Sequence, residues 1–296
     1  MHTKPIHLTA QQEELVQYAT PGWRHTFEYT VIDRTGSGMI PLHWHEELQL
    51  LYVTSGTIDV SIYEQTLHLN KGEGAFINSG IIHQINSSQS NAAFICWNIG
   101  LSGFEEPIQT RFIDSLIHEQ ATPYMYLQPS NHTHDQILNH VFTSFQLFKE
   151  KTSGFELLIN SAFYYCLYCL LSSIQANTES TKIDVHDPRV KQLLHHIHTN
   201  YDSKITLQNL ANTVYLSTAE TNRLFKRNIK KTPFTYILEY RLERSVDWLT
   251  RTQSTITEIA YKTGFSSASY YIEKFNQQYG MTPAKYRKIY LHSKKK

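Results

Sequence analysis

The stretch that decides the fold lies near the carboxyl end of the chain, at residues 256–287, and reads ITEIAYKTGFSSASYYIEKFNQQYGMTPAKYR. Apolar residues recur in it at helical spacing, and the small Ala260 allows two helices to approach closely. Gly264 supplies a residue that can take positive φ in a tight turn. Tyr271 and Phe275 lie on one side of the helix that follows. The pattern predicts a helix-turn-helix unit.

The same unit occurs a second time, earlier in the chain. The segment 207–227 reads LQNLANTVYLSTAETNRLFKR, and its opening LQNLA recurs as ITEIA 49 residues later. Thr232-Pro233 likewise recurs as Thr282-Pro283 after 50 residues. We therefore expect two helix-turn-helix units, at about 205–229 and 256–279, joined by a helix over residues 234–249. A helix of about 16 residues spans roughly 25 Å, which suits two recognition helices in successive major grooves.

The charge of the chain is divided between two halves. The formal net charge is +1 over 296 residues. Residues 1–186 hold 8 Lys and Arg against 18 Asp and Glu, a net of −10, whereas residues 187–296 hold 19 against 8, a net of +11. An acidic half followed by a basic half is typical of a regulatory module joined to a polyanion-binding module.

Composition disfavours several other classes of protein. No apolar run approaches the 18 residues of a membrane span, and residues 1–17 lack the apolar core of a signal peptide. Three cysteines, an odd number, argue against a disulfide scaffold and fit a reducing compartment. We expect a cytoplasmic protein with no membrane segment.

The acidic half changes character along its length. Between residues 25 and 100, short runs of β-branched and aromatic residues alternate with glycine-containing turns, which predicts a β-sandwich or barrel. Residues 137–148 and 157–171 have helical periodicity, and these helices could pack on the sheets and form a dimer face. Residues 176–184 are polar and aperiodic, which predicts a linker.

Residues 187–290 resemble the DNA-binding domain of the AraC/XylS family of bacterial transcription activators, on the two segments quoted above. The resemblance implies seven helices, of which the third (218–229) and the sixth (268–279) enter the major groove of double-stranded operator DNA. It also implies a homodimer that contacts RNA polymerase, association with the nucleoid when bound, and no enzymatic activity.

The resemblance carries base-contacting positions onto both helices. Arg suits the O6 and N7 acceptors of guanine, Asn suits adenine, and Glu can accept from the N4 of cytosine. The expected base contacts are Ala219, Asn222, Arg223, Ala268, Ser269, Ile272 and Glu273. Other basic residues would position the protein on phosphates, although each lysine taken singly could equally be a solvated surface charge. The expected phosphate contacts are Lys226, Arg227, Lys230, Lys231, Lys262, Lys274 and Arg287.

The chain departs from the family pattern in three places. Thr221 stands where the family usually buries a leucine, and Lys230 replaces the usual helix-ending glycine. Glu273 and Asn276 replace basic residues on the sixth helix. We infer that the second reading helix is less electropositive than the first and contributes less affinity.

Residues 38–85 resemble a cupin barrel, the sensor domain that precedes this DNA-binding domain in many family members. The resemblance rests on His43-Trp44-His45, Gly56, KGEG at 71–74 and Gly80-x-x-His83. The expected effector pocket consists of His43, His45, Glu47, Gln49, His83 and Trp97, with Trp23 and Arg24 closing over it. Such a lining suits a small polar ligand, for example a sugar.

The histidines leave three interpretations open. Metal cupins surround one ion with three His and a Glu, and His43, His45 and His83 match that pattern while Gln49 stands at the Glu position. The same histidines could line an effector pocket or serve a purely structural role. We favour the pocket and expect no cofactor.

Two weaker motifs are expected to be structural. Cys166-x-x-Cys169 lies in an apolar run and predicts buried core thiols. His195-His196-x-His198 predicts surface imidazoles.

The expected fold class is two-domain α+β, with a cupin-like effector-binding and dimerisation domain over 1–175, a linker over 176–186 and a DNA-binding domain over 187–296. The expected function is a transcription activator that responds to a small-molecule effector. Two rival classes stay open: a metal-dependent cupin enzyme fused to a DNA-binding domain, and an architectural DNA-binding protein whose barrel only dimerises.

Overall fold

The structure is a computed structural model that divides into two compact units, which meet in the sequence between residues 186 and 187. The described residues are 13–14, 16–18, 22–32, 38–62, 65–89, 91–101, 104–118, 122–176 and 187–293. The linker expected at 176–186 lies, after residue 176, outside the described residues. Each unit is considered by itself.

The first unit is built on antiparallel strands. Within the described residues the strands are β1 (His25–Val31), β2 (Met39–His43), β3 (Leu48–Ser55), β4 (Thr57–Ile62), β5 (Gln65–Asn70), β6 (Gly74–Ile77), β7 (His83–Asn86), β8 (Ala93–Ile99) and β9 (Tyr124–Leu127). They form two sheets, in the orders β1-β8-β3-β6-β9 and β2-β7-β4-β5. The β-structure expected between residues 25 and 100 is confirmed.

Side chains alternate between the two faces of the five-stranded sheet, so each face contributes to a separate hydrophobic core. On one face, Leu51 and Val53 of β3 and Phe94 of β8 pack against the apolar side of the four-stranded sheet. On the other face, Leu50 and Trp97 pack against helices. Every residue of β8 is buried, because each face of this interior strand is covered.

Two long helices cover the outer face of the five-stranded sheet, α3 (His132–Glu150) and α4 (Phe155–Ala176). The side chain of Asn131 caps α3 by accepting from the backbone N–H groups of Thr133 and His134. The short helices α1 (Glu106–Ile108) and α2 (Asp114–His118) precede them, separated by a π-helical turn at Gln109–Ile113.

The helix α4 corrects one expectation from the sequence. It is long and apolar enough to cross a membrane by length and composition, although no apolar run of that length was expected. Ile159, Phe163 and Cys166 on one side of it are buried against the sheet and α3. A core helix passes the same test of length and hydropathy, so this property carries no argument for a membrane.

The second unit is all-α. Within residues 187–293 the helices are α5 (Pro188–Asn200), α6 (Leu207–Thr213), α7 (Thr218–Ile229), α8 (Pro233–Arg251), α9 (Ile256–Lys262), α10 (Ala268–Tyr279) and α11 (Pro283–Ser293). The third and sixth of these coincide with the two recognition helices expected from the sequence. The two-domain α+β fold class is therefore confirmed.

The sequence repeat is also a repeat in structure. Phe225 meets Tyr236 edge-on with 5.6 Å between ring centroids, and Phe275 meets Tyr286 edge-on at 5.5 Å. In each helix-turn-helix unit the residue at the turn has positive φ: Gly264 at +80° in the second and Tyr215 at +55° in the first. The same buried contacts thus hold both helix-turn-helix units in shape.

Candidate functional site

The first recognition helix, α7, presents a basic exposed side. Its accessible residues include Ala219, Asn222, Arg223, Lys226 and Arg227, together with the acidic Glu220, and Lys230 is exposed at its end. Ser217 caps the helix, and the carboxylate of Glu220 accepts from the backbone N–H of Ser217 at 3.1 Å. The acidic side chain is thereby held at the cap, and the rest of the exposed side carries cations beside one amide. This arrangement can bind phosphates and read the major-groove edge of a base pair.

The second recognition helix, α10, is accessible but nearly neutral. Ser269, Ile272 and Glu273 are exposed, and Ala268 is half-buried. Glu273 lies 3.2 Å from Lys274 in an ion pair. Gln277 connects the two, because its Oε1 accepts from Lys274 and its Nε2 donates to Glu273. The charge of the predicted phosphate contact Lys274 is therefore matched by its neighbour.

Another predicted phosphate contact, Arg287, is engaged inside the second unit. Arg287 donates to the carbonyl oxygens of Leu249 and Ser254, at 3.1 and 2.7 Å. These bonds brace α11 against the end of α8. Arg241, which sequence reasoning did not single out, similarly donates to the carbonyl oxygen of Tyr201 at 2.7 Å. Neither role has a local sequence signal, since each depends on which carbonyls lie opposite.

Two lysines have partners of their own. The ammonium of Lys231 donates to Glu239 at 2.6 Å, and that of Lys262 lies 4.6 Å from the ring centroid of Trp248. Both contacts are at the surface, where such pairs are weak. The ammonium groups can therefore exchange these partners for phosphate.

The departures from the family pattern are visible in α7. Thr221 is fully buried, and its Oγ1 has no hydrogen-bond partner among the described residues. Lys230 ends the helix with φ of +61°, the left-handed conformation that Gly280 adopts at the end of α10 with φ of +68°. Both are local costs carried by the first helix-turn-helix unit.

In the first unit, His43, His45 and His83 come together as a buried group, which we call the histidine cluster. Each is at most 2% exposed. The ring centroids of His43 and His83 are 4.2 Å apart, and those of His45 and His83 are 5.3 Å apart. One ring nitrogen of each lies within 4.8 Å of the others. The residues lie at the end of β2, just before β3 and at the start of β7.

Hydrogen bonds determine where each imidazole carries its proton. The Nδ1 atoms of His43, His45 and His83 contact backbone carbonyl oxygens of Pro41, Glu47 and Ile81, at 2.8, 3.1 and 2.9 Å. A carbonyl oxygen only accepts, so each Nδ1 donates and each Nε2 keeps a lone pair. Burial lowers the pKa of His43 to about 4 and of His45 to about 3, and it lowers that of His83 well below its usual value. The three imidazoles are neutral at pH 7.

Polar residues surround the cluster. Gln49 donates through Nε2 to Nε2 of His45 at 3.1 Å and to Oδ1 of Asn98 at 3.0 Å. Asn98 lies opposite Gln49 in the β3–β8 register, so its inward position follows from the pairing. The Nε2 of His83 and the Oε1 of Gln49 are buried without a partner among the described residues.

The segment before β1 contributes a carboxyl group that was not predicted from the sequence. The backbone N–H of Glu14 donates to the carbonyl oxygen of Trp44 at 2.8 Å, and Oε2 of Glu14 lies 3.5 Å from Nε2 of His43. Burial, with the charges of Glu28 and Glu47, raises the pKa of Glu14 to about 8. Tyr18 fixes the same segment by donating to Glu47 at 2.7 Å.

Three residues expected at the pocket lie elsewhere. Trp97 faces the helices on the opposite side of the sheet, where its ring stacks on Phe27 at 5.0 Å. Trp23 packs on Phe148 of α3 and Phe155 of α4. Arg24 has its guanidinium 4.0 Å from the ring centroid of Phe104. The structure thus brings His43, His45, Gln49 and His83 together, with Glu47 at their edge, but separates Trp97, Trp23 and Arg24 from them.

The weaker motifs have mixed outcomes. Cys166 and Cys169 are buried free thiols, as expected. His195 is exposed, but His198 is buried and lies 2.7 Å from the hydroxyl of Tyr236. The expectation that His198 is a surface imidazole was wrong, because it falls on the inner side of α5.

Comparisons with known proteins agree with the division of the chain into two units. Residues 26–167 match the family described as AraC-like ligand binding domain, and residues 210–289 match a family described as helix-turn-helix domain. The chain is 32% identical to the uncharacterized HTH-type transcriptional regulator YdeC of Bacillus subtilis, over 94% of this chain and 96% of that protein. It is 25% identical to the melibiose operon regulatory protein of Escherichia coli, over 83% of each.

Among solved structures, ToxT of Vibrio cholerae aligns with a TM-score of 0.46 and 12% identity, over 89% of this chain and 98% of that one. The DNA-binding domain of AdpA, solved with a target DNA, aligns with a TM-score of 0.33 and 23% identity, over 36% of this chain and 94% of that one.

Proposed function

The chain belongs to the AraC family of helix-turn-helix transcriptional regulators, and we propose that it is an activator whose binding to operator DNA responds to a small-molecule effector. The observation that supports DNA reading best is the exposed side of α7. Arg223, Lys226 and Arg227 lie there beside Asn222, and the local acidic side chain, Glu220, is held at the helix cap. Cations of this kind supply affinity, and Arg223 with Asn222 supplies sequence preference.

The test of DNA reading begins with selection of duplexes from a randomised pool by the full chain. Binding of the selected duplex is then followed by fluorescence anisotropy. We expect Arg223→Ala to weaken binding about 10- to 100-fold and to relax the preference at one base pair. Lys285→Ala is the matched control, because Lys285 is exposed on α11 and is not among the proposed contacts. Equal losses in the two variants would contradict the proposed interface.

We propose that the effector binds in the first unit, within residues 26–167. A polar ligand such as a sugar fits the amide and imidazole groups around Gln49, and one relative takes its name from the melibiose operon. The test is a thermal-shift screen of the full chain against monosaccharides and disaccharides. A compound that raises the melting temperature should also change affinity for the selected duplex, and a ligand that stabilises the chain without changing DNA binding would contradict an effector role.

We propose further that the chain forms a homodimer through α3 and α4. Leu157 is 73% exposed and Tyr168 is 66% exposed on α4, and Phe142 is exposed on α3. Exposed apolar side chains grouped in this way commonly mark an interface. Sedimentation of Leu157→Asp should give a monomer where the unsubstituted chain gives a dimer. A monomeric unsubstituted chain at micromolar concentration would contradict the proposal.

Activation requires contact with RNA polymerase, which is a separate proposal. Transcription in vitro from a promoter that carries the selected site should rise when the chain and its effector are added to purified polymerase. A fall in transcript would instead make the chain a repressor. The expected place of action is the cytoplasm, where the chain is associated with the nucleoid while bound.

A further inference from the structure

Arg241 lies where α8 passes from one helix-turn-helix unit to the other. Earlier in α8, Tyr236 packs on Phe225 of the first helix-turn-helix unit. Directly after Arg241, Leu242 belongs to the buried cluster that contains Phe275 of the second helix-turn-helix unit. The two helix-turn-helix units therefore share α8, and Arg241 lies between the two sets of packing contacts.

The guanidinium of Arg241 binds the loop that leads into the first helix-turn-helix unit. Its Nε donates to the carbonyl oxygen of Tyr201 at 2.7 Å, and its Nη2 donates to the carbonyl oxygen of Ser203 at 2.6 Å. Both carbonyl groups lie in the loop between α5 and α6. The planar guanidinium donates to two acceptors in a fixed geometry, so it holds this loop firmly beside α8.

The turn of the second helix-turn-helix unit rests on the same group of atoms. A Cβ at Gly264 would lie 2.3 Å from the carbonyl oxygen of Tyr201 and 2.8 Å from Nε of Arg241. The backbone of this turn therefore lies directly against the guanidinium and against a carbonyl group that the guanidinium binds. We call the contact formed by Arg241, Tyr201, Ser203 and Gly264 the Arg241 junction.

The corresponding turn of the first helix-turn-helix unit is open. Tyr215, its residue with positive φ, is 95% exposed. Arg287 forms the same kind of bonds as Arg241, to the carbonyl oxygens of Leu249 and Ser254, but around the second helix-turn-helix unit itself. Arg241 differs because its partners belong to the loop of the first unit and its guanidinium also supports the turn of the second.

A contact beside α8 restricts a motion that the helix alone leaves open. The length of a shared helix fixes the separation of two bodies along its axis. Their relative rotation about that axis depends on contacts to the side, such as the Arg241 junction. This rotation matters on DNA, because each added base pair moves a half-site by about 3.4 Å and turns it by roughly 35°.

We propose that Arg241 is a positioning residue, which fixes the orientation of α10 relative to α7 and thereby restricts the chain to operators with one spacing between the base pairs that the two helices read. The proposal rests on the proposed function, since it requires both helices to read DNA. Arg241 itself is not among the proposed DNA contacts, so it acts on spacing through the geometry of the protein.

A series of spaced duplexes tests the proposal with the full chain. The base pairs read by α7 and α10 are located on the selected duplex by the preferences that relax in Arg223→Ala and in Glu273→Ala. One base pair is then inserted or removed between them. We expect each change to lower the affinity of the unsubstituted chain at least about 10-fold, and that of Arg241→Ala no more than about 3-fold from its own value on the selected duplex.

Two further variants separate positioning from general stability. Arg287→Ala is the matched control, because it also loses bonds to two carbonyl groups, and its spacing penalty should equal that of the unsubstituted chain whatever its affinity. Arg241→Lys should behave as Arg241→Ala, since an ammonium lacks the two-donor fork. Circular dichroism establishes that each variant is folded. An unsubstituted chain that tolerates both spacings, or equal penalties in the unsubstituted chain and folded Arg241→Lys, would overturn the proposal.

A distance measurement without DNA separates this proposal from the proposed function. Spin labels are attached at Gln208→Cys on α6 and Gln278→Cys on α10, both of them exposed, and the labelled chain is diluted with unlabelled chain. Pulsed electron resonance should give a narrow distance distribution that broadens in Arg241→Lys, and a broad distribution in the otherwise unsubstituted chain would overturn the proposal. A narrow distribution in a chain that binds no duplex would overturn the proposed function alone.

Discussion

The two helix-turn-helix units share one packing plan and differ in the charge of the helix offered to DNA. Phe225 and Phe275 occupy equivalent buried positions, each against a tyrosine fifty positions from its counterpart. On the surface, Arg223 and Arg227 of α7 have no equivalent cation on α10, where Glu273 pairs with Lys274. The two helix-turn-helix units thus share their buried contacts and differ in their exposed residues.

Because of this difference, we expect the two helix-turn-helix units to contribute unequally to DNA affinity. Exposed cations contribute affinity through release of counterions, so α7 should provide most of the binding energy. A neutral α10 with Glu273 at its surface can still discriminate among bases, because a misplaced carboxylate is repelled by phosphate and tolerated only at a suitable cytosine. The first helix-turn-helix unit also carries a local cost at Lys230, which has positive φ where the second helix-turn-helix unit has Gly280.

The largest effect is expected at the turn. Gly264→Ala should lower the free energy of unfolding of the second unit by about 3 kcal/mol, since it combines left-handed strain with overpacking. A Cβ at Gly264 would lie 2.3 Å from the carbonyl oxygen of Tyr201. Tyr215→Gly at the equivalent turn should change stability by less than about 1 kcal/mol. Chemical denaturation measures the free energy of unfolding of both variants. Equal losses of stability would contradict the special role given to Gly264.

The next effect concerns DNA affinity. Arg223→Ala should cost about 1–3 kcal/mol of binding free energy, whereas Glu273→Ala should cost little, since removal of a carboxylate also removes repulsion from phosphate. Anisotropy titrations on the selected duplex at fixed salt compare the two. An equal or larger loss at Glu273 would overturn the view that α7 dominates.

A smaller effect is expected in the core of the first helix-turn-helix unit. Thr221→Val should raise the free energy of unfolding by about 1 kcal/mol, because it removes a buried hydroxyl without a partner. Thr263→Val is the control, since the equally buried Oγ1 of Thr263 donates to Ile259 at 2.7 Å. The control should be neutral or destabilising. Stabilisation by both changes would mean that simple hydrophobicity, and not the missing partner, decides.

The smallest effect belongs to the helix ends. Lys230→Gly should stabilise the first helix-turn-helix unit by about 0.5–1 kcal/mol, because glycine takes the left-handed conformation without strain. Gly280→Lys should destabilise the second unit by a similar amount. Thermal unfolding resolves the pair, and a loss of stability in Lys230→Gly would show that the lysine side chain contributes more than its strained backbone costs.

The helical half was predictable because its signals are local. Caps at Ser217 and Thr255, the positive-φ turn at Gly264 and the repeat itself all lie within short segments. Roles that depend on distant partners were not predictable. Arg287 was expected on phosphate but donates to two carbonyl groups of other segments.

In the β-rich half, the alternation of polar and apolar residues does not identify every inward-facing side chain. Strand β8 is buried on both faces, so its sequence has no exposed polar face. The sequence therefore does not show which of its residues point between the two sheets. Trp97 was therefore expected in the pocket but packs under the helices, while Asn98 lies beside Gln49. Glu14 belongs to no regular strand, and its contact with His43 exists only because backbone pairing with Trp44 carries it there.

The central claim is that this chain binds DNA through exposed cations, mainly those of α7. The most direct test is the affinity of the full chain for its selected duplex as a function of salt concentration. Each phosphate contact contributes about −0.9 to the slope of log affinity against log salt. The four exposed cations on α7 and at its end therefore predict a slope of about −3 or steeper. Arg227→Ala should reduce that slope by about one, and Lys274→Ala should leave it unchanged. A flat dependence, or an equal reduction by Lys274→Ala, would contradict the account.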